Sequence, residues 1–359
     1  MNCENLSNSE ILKKIAALPL GKVKIMEVCG THTMSIAKSG LRSALPENVE
    51  LLSGPGCPVC VTPTETIDAI LSLAARENVI IATYGDMLRV PGSERGKSLA
   101  TSKAYGARVE VVYSPLDAVH LASENPDSEV VFLGVGFETT APGTAAAIMD
   151  AAEKDVSNFS VLSMLKTVEP ALRALIADPE FSVSGFLCPG HVASIIGANA
   201  FSFLAEEFSL PCVVGGFEPR EILLAVYKLL SQIAEKNAHI ENAYPQAVRD
   251  GGNPIAMKMT ERVFKPTSSL WRGLSEIPAS GLSIREEYSH FDAEKKFKIE
   301  YVTKKEAAPC RCGDVICGHI SPRACPMFGK VCTPEDPVGP CMVSSEGACA
   351  AAYKYTEAI

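Results

Sequence analysis

Short runs of β-branched and other apolar residues recur along this chain, each leading into a glycine-, proline- or cysteine-bearing loop and then into residues at helical spacing. Val79-Ile-Ile-Ala-Thr83 is the plainest, and it ends in Tyr84-Gly-Asp86-Met-Leu-Arg89-Val-Pro-Gly92, a loop full of turn chemistry. Residues 24–28, 49–52, 109–113, 129–133, 184–188 and 212–216 repeat the pattern, and residues 8–18 make a leading helix. Strands that alternate with helices pair in parallel, because each crossover returns the chain to the same end of the sheet. Near residue 126 the rhythm restarts. The loops Cys29-Gly-Thr-His32, Gly54-Pro-Gly-Cys57 and Tyr84-Gly-Asp86 then have counterparts, in order, in Gly136-Phe-Glu138, Cys188-Pro-Gly-His191 and Gly216-Phe-Glu218. The expected fold is two similar Rossmann-like α/β domains with mostly parallel sheets. Residues 1–125 hold the Cys29 and Cys57–Cys60 loops, 126–260 hold the Gly136–Pro142 and Cys188–His191 loops, and 261–359 form a loop-rich carboxyl-terminal domain. In open α/β sheets ligands bind at the carboxyl ends of the strands, so both loop sets are expected to face one cleft. Residues 237–308 say little beyond strand-like and turn-like pieces from Trp271 to Glu287.

Ser53-Gly-Pro-Gly-Cys57-Pro-Val-Cys60 places two thiols three positions apart at a tight turn. That spacing lets both sulfurs meet each other or one metal, leaving redox pair and metal site open. Thr62-Pro63-Thr64-Glu65 reads as a capping box with proline at the first helical position, opening a helix through Ile67, Ile70 and Leu71. The thiols are expected between a strand's carboxyl end and a helix's amino end, where unpaired N–H groups favour thiolate.

A chain of 359 residues has room for two or three domains, and 47% hydrophobic with 21% charged residues describes a soluble globular protein with ample core. Its formal net charge of −9, without a lysine/arginine-rich face, argues against general nucleic-acid binding. No apolar run reaches the roughly twenty residues a bilayer span needs. The opening Met-Asn-Cys-Glu-Asn is not a secretion signal, so a cytoplasmic location is expected. Thirteen cysteines in a reducing compartment point to metal or redox chemistry rather than a disulfide framework.

Seven of those cysteines, from Cys310 to Cys349, fall in the carboxyl-terminal block, where prolines and glycines interrupt every long helix. Such a loop-rich module needs a staple. Zinc sites present tightly paired ligands, but only Cys310 and Cys312 are close here. With Cys317 set aside, Cys325, Cys332, Cys341 and Cys349 follow singly. Six scattered thiols exceed one zinc's need and suit four cluster ligands plus a dithiol, with Cys325 followed by proline as in ferredoxin-type runs.

Together and in this order, these motifs resemble the HypD family of hydrogenase formation (maturation) proteins over nearly the whole length. They are Cys29-Gly-Thr-His32, Gly54-Pro-Gly-Cys57-Pro-Val-Cys60-Val-Thr-Pro63, Tyr84-Gly-Asp86-Met-Leu-Arg89-Val-Pro-Gly92, Gly136-Phe-Glu138-Thr-Thr-Ala-Pro142, Cys188-Pro-Gly-His191-Val, Gly216-Phe-Glu218-Pro and the run Cys310 to Cys349. The resemblance implies a redox-active scaffold on which the iron of [NiFe] hydrogenase, a mononuclear Fe(II), acquires two cyanides and one carbon monoxide. It implies two protein partners, a small chaperone of the HypC family and a thiocyanate-carrying protein of the HypE family, and a maturation scaffold rather than a turnover enzyme. Cys29 then matches the iron-ligating thiol, with His32 nearby, and Cys57 with Cys60 the redox-active dithiol. Cys310, Cys325, Cys332 and Cys349 match the ligands of a [4Fe–4S] cluster, and Cys312 with Cys341 a second dithiol between cluster and cleft. Cys3, Cys212 and Cys317 stand outside the pattern, and Cys188 has no ligand role in it.

The chemistry suits these residues. Low-spin iron(II) with cyanide and carbon monoxide is a soft centre, and thiolate is the soft protein ligand. Cleaving cyanide from a thiocyanate is formally a two-electron reduction, which a dithiol supplies in one step while a [4Fe–4S] cluster passes single electrons. Glu138 and His191 are candidates for proton delivery or for binding a partner's tail. Asp86 and Glu218 are weaker ones, because loop acids commonly cap helices or stay solvated. Two other readings use part of the pattern: an iron–sulfur thiol–disulfide reductase, which has no use for Cys29-Gly-Thr-His32, and a zinc-stabilised binding protein without redox chemistry.

Overall fold

A computed structural model describes residues 6–302 and 310–355; Cys3 lies outside them. Among the described residues there are eleven strands: β1 (Val23–Glu27), β2 (Val49–Ser53), β3 (Val79–Thr83), β4 (Arg108–Val111), β5 (Glu129–Gly136), β6 (Phe159–Leu165), β7 (Gly185–Pro189), β8 (Cys212–Gly215), β9 (Ile240–Asn242), β10 (Phe264–Trp271) and β11 (Ser275–Ile284). One sheet runs β2-β1-β7-β8-β9 and another β4-β3-β5-β6, and every neighbouring pair in both is parallel. All of β3 and all but the first residue of β5 are buried, as expected of strands covered on both faces.

The two sheets share one topology. Counted within its own sheet, each begins second, first, third, fourth strand, the first sheet adding its fifth, β9, at the edge, so the order reverses between β1 and β7 in one and between β3 and β5 in the other. Their arrangement along the chain departs from the expected tandem halves, however. The first sheet takes β1 and β2 from before residue 125 and β7, β8 and β9 from after it, while the second is inserted between β2 and β7. A division at 125/126 would cut through the second sheet, between β4 and β5. The loop correspondence shifts with it. Cys29-Gly-Thr-His32 leaves the first strand of its sheet as Tyr84-Gly-Asp86 does, and Cys188-Pro-Gly-His191 stands where Gly136-Phe-Glu138 does. A helical crossover that adds a strand and one that starts a new sheet carry the same local pattern, so periodicity does not separate them.

Local chemistry sets most element ends. Ser7 and Glu10 close a reciprocal capping box on the leading helix Asn8–Ala16. The box expected at Thr62 does not form. Pro63 itself occupies the cap of the helix Thr64–Ala74, and the Thr62 hydroxyl turns back to the Pro58 carbonyl at 2.9 Å. Strand β6 escaped the sequence pattern, and so did β10, the mostly exposed first strand of the hairpin β10–β11, while β11 falls among the strand-like pieces expected from Trp271 to Glu287. The hairpin lies along β6: Ser163 Oγ donates to the Leu282 carbonyl at 2.5 Å and Thr167 N to the Ser280 carbonyl at 2.9 Å. The strands of residues 264–284 therefore pack along the second sheet, and it is their turn that meets the cysteine-rich module, which was expected to span 261–359.

That module, from Cys310, consists of short helices (Cys312–Ile316, Pro340–Val343 and Ala348–Tyr355) joined by loops. It docks on the hairpin's turn, where Gly273, at φ +88°, meets Gly313 so closely that a Cβ would lie 2.5 Å from the Gly313 Cα. One apolar cluster joins both sheets to the module through Val28, Val59, Ile70, Leu133, Phe186 and Met342. Among the described residues no helix is long and apolar enough to cross a membrane.

Candidate functional site

Cys29 follows β1 at the reversal point of the first sheet and caps the helix Gly30–Ser39 with extended backbone, φ −151° and ψ 124°. Two glycines let neighbouring segments close on it. Gly30 N donates to the Gly56 carbonyl at 3.0 Å, and a Cβ on Gly56 would lie 2.2 Å from Cys29 N. On the other side a Cβ on Gly30 would meet the Glu346 Cβ at 2.3 Å, and Thr31 Oγ1 donates to Glu346 Oε1 at 2.7 Å. Cys29 thus sits between the exit of β2 and the turn at 344–346, 7% exposed. Burial pushes its thiol up to about 12, opposed by the backbone N–H of His32 and reinforced by the Glu346 and Glu27 carboxyls.

Glu27 is a site residue that sequence reasoning missed. It is buried beneath Cys29, with Oε2 accepting the Cys29 amide at 3.2 Å and Oε1 accepting the Thr33 hydroxyl at 2.5 Å. Burial raises its carboxyl to about 7, opposed by the Thr33 and Ser53 hydroxyls and the Arg42 guanidinium. A single acid inside the apolar run Ile25-Met-Glu-Val28 was the available signal.

His32 and His191 meet around one ring. The Phe217 ring stacks on His32 at 4.7 Å and on His191 at 3.8 Å between centroids. His32 is fully buried, with Nε2 donating to the Gly216 carbonyl at 2.9 Å, which leaves Nδ1 as a buried lone pair without a hydrogen-bond partner. Burial lowers His32 to about 4, so the ring is neutral, and it lowers the more exposed His191 too. The reversal point of the first sheet thus gathers Cys29, His32 and His191.

Cys57 and Cys60 form a disulfide with their Cα atoms 5.2 Å apart. Cys57 Sγ also accepts the Cys60 amide at 3.1 Å and lies 3.4 Å from Ser344 Oγ. Asp86, at the reversal point of the second sheet, accepts from Ser344 Oγ at 3.0 Å, Ser345 N at 3.0 Å and Ser345 Oγ at 2.9 Å. The turn at 344–346 is therefore shared by the Cys29 loop, the disulfide and the exit of β3.

Behind that turn, the Cys312 and Cys341 sulfurs are 2.6 Å apart. Hydrogen bonds from Cys310 and Cys341 favour thiolate at Cys312, helped by the Arg272 guanidinium, and leave Cys341 as the protonated partner. One small pocket is lined by Cys310, Cys312, Cys325, Cys332, Cys341 and Cys349, with apolar walls from Phe328 and Met342. Among the described residues no three His, Cys, Asp or Glu side chains converge as a single metal ion requires. Cys317 is off this pocket, its Sγ 3.4 Å from the Gly273 carbonyl.

Other residues singled out from the sequence stand apart. Glu138 leaves β5 with Oε1 accepting the Val168 amide at 2.8 Å, its Oε2 buried without a hydrogen-bond partner, and burial lifts it to about 7. Its bond is to a neighbouring loop of its own sheet, not to the Cys29 loop. Cys188 points into the core beside Cys212, and both are fully buried. Glu218 caps the helix Pro219–Glu235, as loop acids commonly do.

A family model described as HypD, "Hydrogenase formation hypA family", matches residues 7–356. The hydrogenase maturation factor HypD of Rhodobacter capsulatus is 47% identical over 352 residues, covering 97% of this chain and 93% of that protein. Its counterpart from Escherichia coli (strain K12) is 45% identical over 336 residues, covering 93% and 90%. That of Azotobacter vinelandii is 44% identical over 343 residues, covering 94% and 90%.

Proposed function

The chain belongs to the HypD family of hydrogenase maturation factors, and from that premise we propose that it is the scaffold on which the iron of [NiFe] hydrogenase gains two cyanides and one carbon monoxide. One observation carries this reading: the lone thiol of Cys29 and the Cys57–Cys60 redox pair lie on adjacent strand exits, packed through Gly56 and closed by the same turn at 344–346. A soft metal ligand thus sits beside a two-electron reductant.

Iron(II) is cargo here. Cys29 is the anchoring ligand, and binding iron releases the proton that burial otherwise holds on its sulfur. His32, neutral and fixed through Nε2, offers its Nδ1 lone pair for an iron or for a hydrogen-bonding ligand. For each cyanide, one thiocyanate and two thiols, Cys57 and Cys60, yield one thiol on the donor, one cyanide with its proton, and one disulfide. The bonded state of the pair is the product side of that step. Donors and cargo arrive with partner proteins, a thiocyanate-carrying protein of the HypE family and a small chaperone of the HypC family.

The six-cysteine pocket supports a resident [4Fe–4S] cluster: thiolates spread around an apolar pocket fit four separate irons better than the single convergent point zinc needs. Cys310, Cys325, Cys332 and Cys349 would hold it, and it would supply electrons singly. Cys312 and Cys341 then form the second dithiol, three residues along the chain from the Ser344 that touches Cys57.

Infrared spectroscopy of the anaerobically purified chain, produced with its small chaperone, tests this reading. Cyanide and carbon monoxide stretches are expected in the wild type and not in Cys29→Ala. Their absence from the wild type, with thiol–disulfide exchange intact, would favour an iron–sulfur thiol–disulfide reductase.

A further inference from the structure

We propose that Asp86, acting through the Ser344 hydroxyl, carries the proton of Cys57 in its dithiol–disulfide cycle. This rests on the dithiol chemistry proposed above and assigns a role that the motifs alone leave open.

The two sulfurs of the pair are not equivalent. Cys57 is 5% exposed and Cys60 1%. Cys57 also receives the Cys60 amide at 3.1 Å, a donor that steadies a thiolate there. Cys57 is thus the sulfur an incoming thiol meets, and its proton has to cross a buried seam. Ser344, itself 1% exposed, bridges that seam at 3.4 Å from Cys57 Sγ and 3.0 Å from Asp86 Oδ2. Asp86 is only half-buried, so the path runs from a covered sulfur to a carboxylate that solvent reaches. Its other two bonds, from Ser345 N and Oγ, hold the carboxylate in line with Ser344. In the disulfide the Ser344 hydroxyl donates to Asp86. Once Cys57 is reduced, its S–H donates to Ser344 Oγ and the chain is continuous.

With an external dithiol as reductant the step balances. The first external thiolate bonds to Cys57 Sγ and releases Cys60 as thiolate. The second displaces Cys57 as the external disulfide closes. Cys57 takes the Ser344 proton, Ser344 is reprotonated through Asp86 from solvent, and Cys60 takes the second proton. Two electrons have passed from the external dithiol to the pair, and the two protons the pair takes up from solvent match the two that the external thiols gave to it.

Because Ser344 and Asp86 belong to different modules, the relay exists only while the carboxyl-terminal module is docked. The titratable groups around it are Asp86 itself, Glu346 beside it, and Cys29, against whose backbone Gly56 packs.

The test is the rate at which dithiothreitol reduces the Cys57–Cys60 bond in the full-length chain, followed by differential alkylation and peptide mass spectrometry. Asp86→Asn and Ser344→Ala are expected to slow reduction at least about a hundredfold, the lower edge of a typical general acid–base contribution. Ser344→Thr, which keeps the hydroxyl, is expected to stay near the wild-type rate. Removing the Asp86 charge should also lower the pH at which Cys57 is alkylated. A thiol that ionises more easily yet exchanges more slowly is the signature of a lost relay, since electrostatics alone would ease ionisation and speed exchange together. Should Asp86→Asn fail to fold, the serine pair carries the test. Wild-type rates in Ser344→Ala, or equal slowing in Ser344→Thr, would overturn the assignment and leave the dithiol function standing. A wild-type bond inert to dithiothreitol would overturn both.

Discussion

Glu138→Gln isolates one buried charge, and the structure gives its size and sign. Part of the side chain faces solvent, but Oε2 is sealed from it, and burial lifts the carboxyl from 4.5 to about 7. At 1.36 kcal/mol per pH unit, that rise corresponds to about 3 kcal/mol. The folded pKa lies above the unfolded one, so the folded carboxyl keeps its proton where the unfolded one has lost it. Its stabilisation is present in full below about pH 4.5 and is lost as pH rises through about 7. Glutamine keeps an oxygen for the Val168 amide, 2.8 Å away in the wild type, and does not titrate. The stability of Glu138→Gln relative to wild type should therefore rise by about 2–3 kcal/mol between about pH 5 and about pH 8. Trp271, the single tryptophan, reports on this locality, being 1% exposed and stacked on Phe137 at 5.9 Å. Urea titrations read by its fluorescence at four or so pH values give the two curves. Parallel curves, with a gap independent of pH, would refute the argument that burial has raised this group.

Two further substitutions probe the frame around the site. Gly56→Ala forces a Cβ to within 2.2 Å of Cys29 N and 2.4 Å of its Cα. Backbone cannot yield as a side-chain tip does, so a loss of about 1–3 kcal/mol is expected. Weakened cyanide and carbon monoxide bands are expected with it although Cys29 remains; wild-type stability together with wild-type bands would show that the close approach is not needed. Phe132→Ala removes a fully buried ring in β5 that stands edge-on to Tyr84 at 5.6 Å, and chemical denaturation should show a loss of about 3–5 kcal/mol. A loss under about 1 kcal/mol would mean that the cavity collapses freely.

Much of the site was legible before any coordinates. Cysteines and histidines at strand exits announce chemistry because parallel sheets present those loops at one edge; Cys29, Cys57 and Cys60 fall in such loops and His32 in the first turn of the helix that follows Cys29. Glu218 caps a helix, one of the two ordinary roles expected of a loop acid. Glu27 was hidden because a strand acid looks like a solvent-facing residue until the sheet's other face is covered. The Phe217 ring between two histidines was hidden because its partners are separated by more than a hundred residues. The polar surface of β10 gave no alternation to find.

By itself the sequence determined the local units: apolar runs of strand length, their glycine- and cysteine-bearing exits, the helices that follow, and the family to which the whole belongs. Each depends on residues near one another in the chain, where propensity and periodicity act. Which units became neighbours was decided only in three dimensions. β1 pairs with β7 across more than a hundred residues, and a whole sheet is inserted between the strands they join. Cys29 and Cys188 each close an apolar run ahead of a glycine-bearing loop, yet the fold places one at a seam of three segments and buries the other beside Cys212. The difference is one of packing: a thiol's role depends on what covers it, and long-range contacts decide the cover.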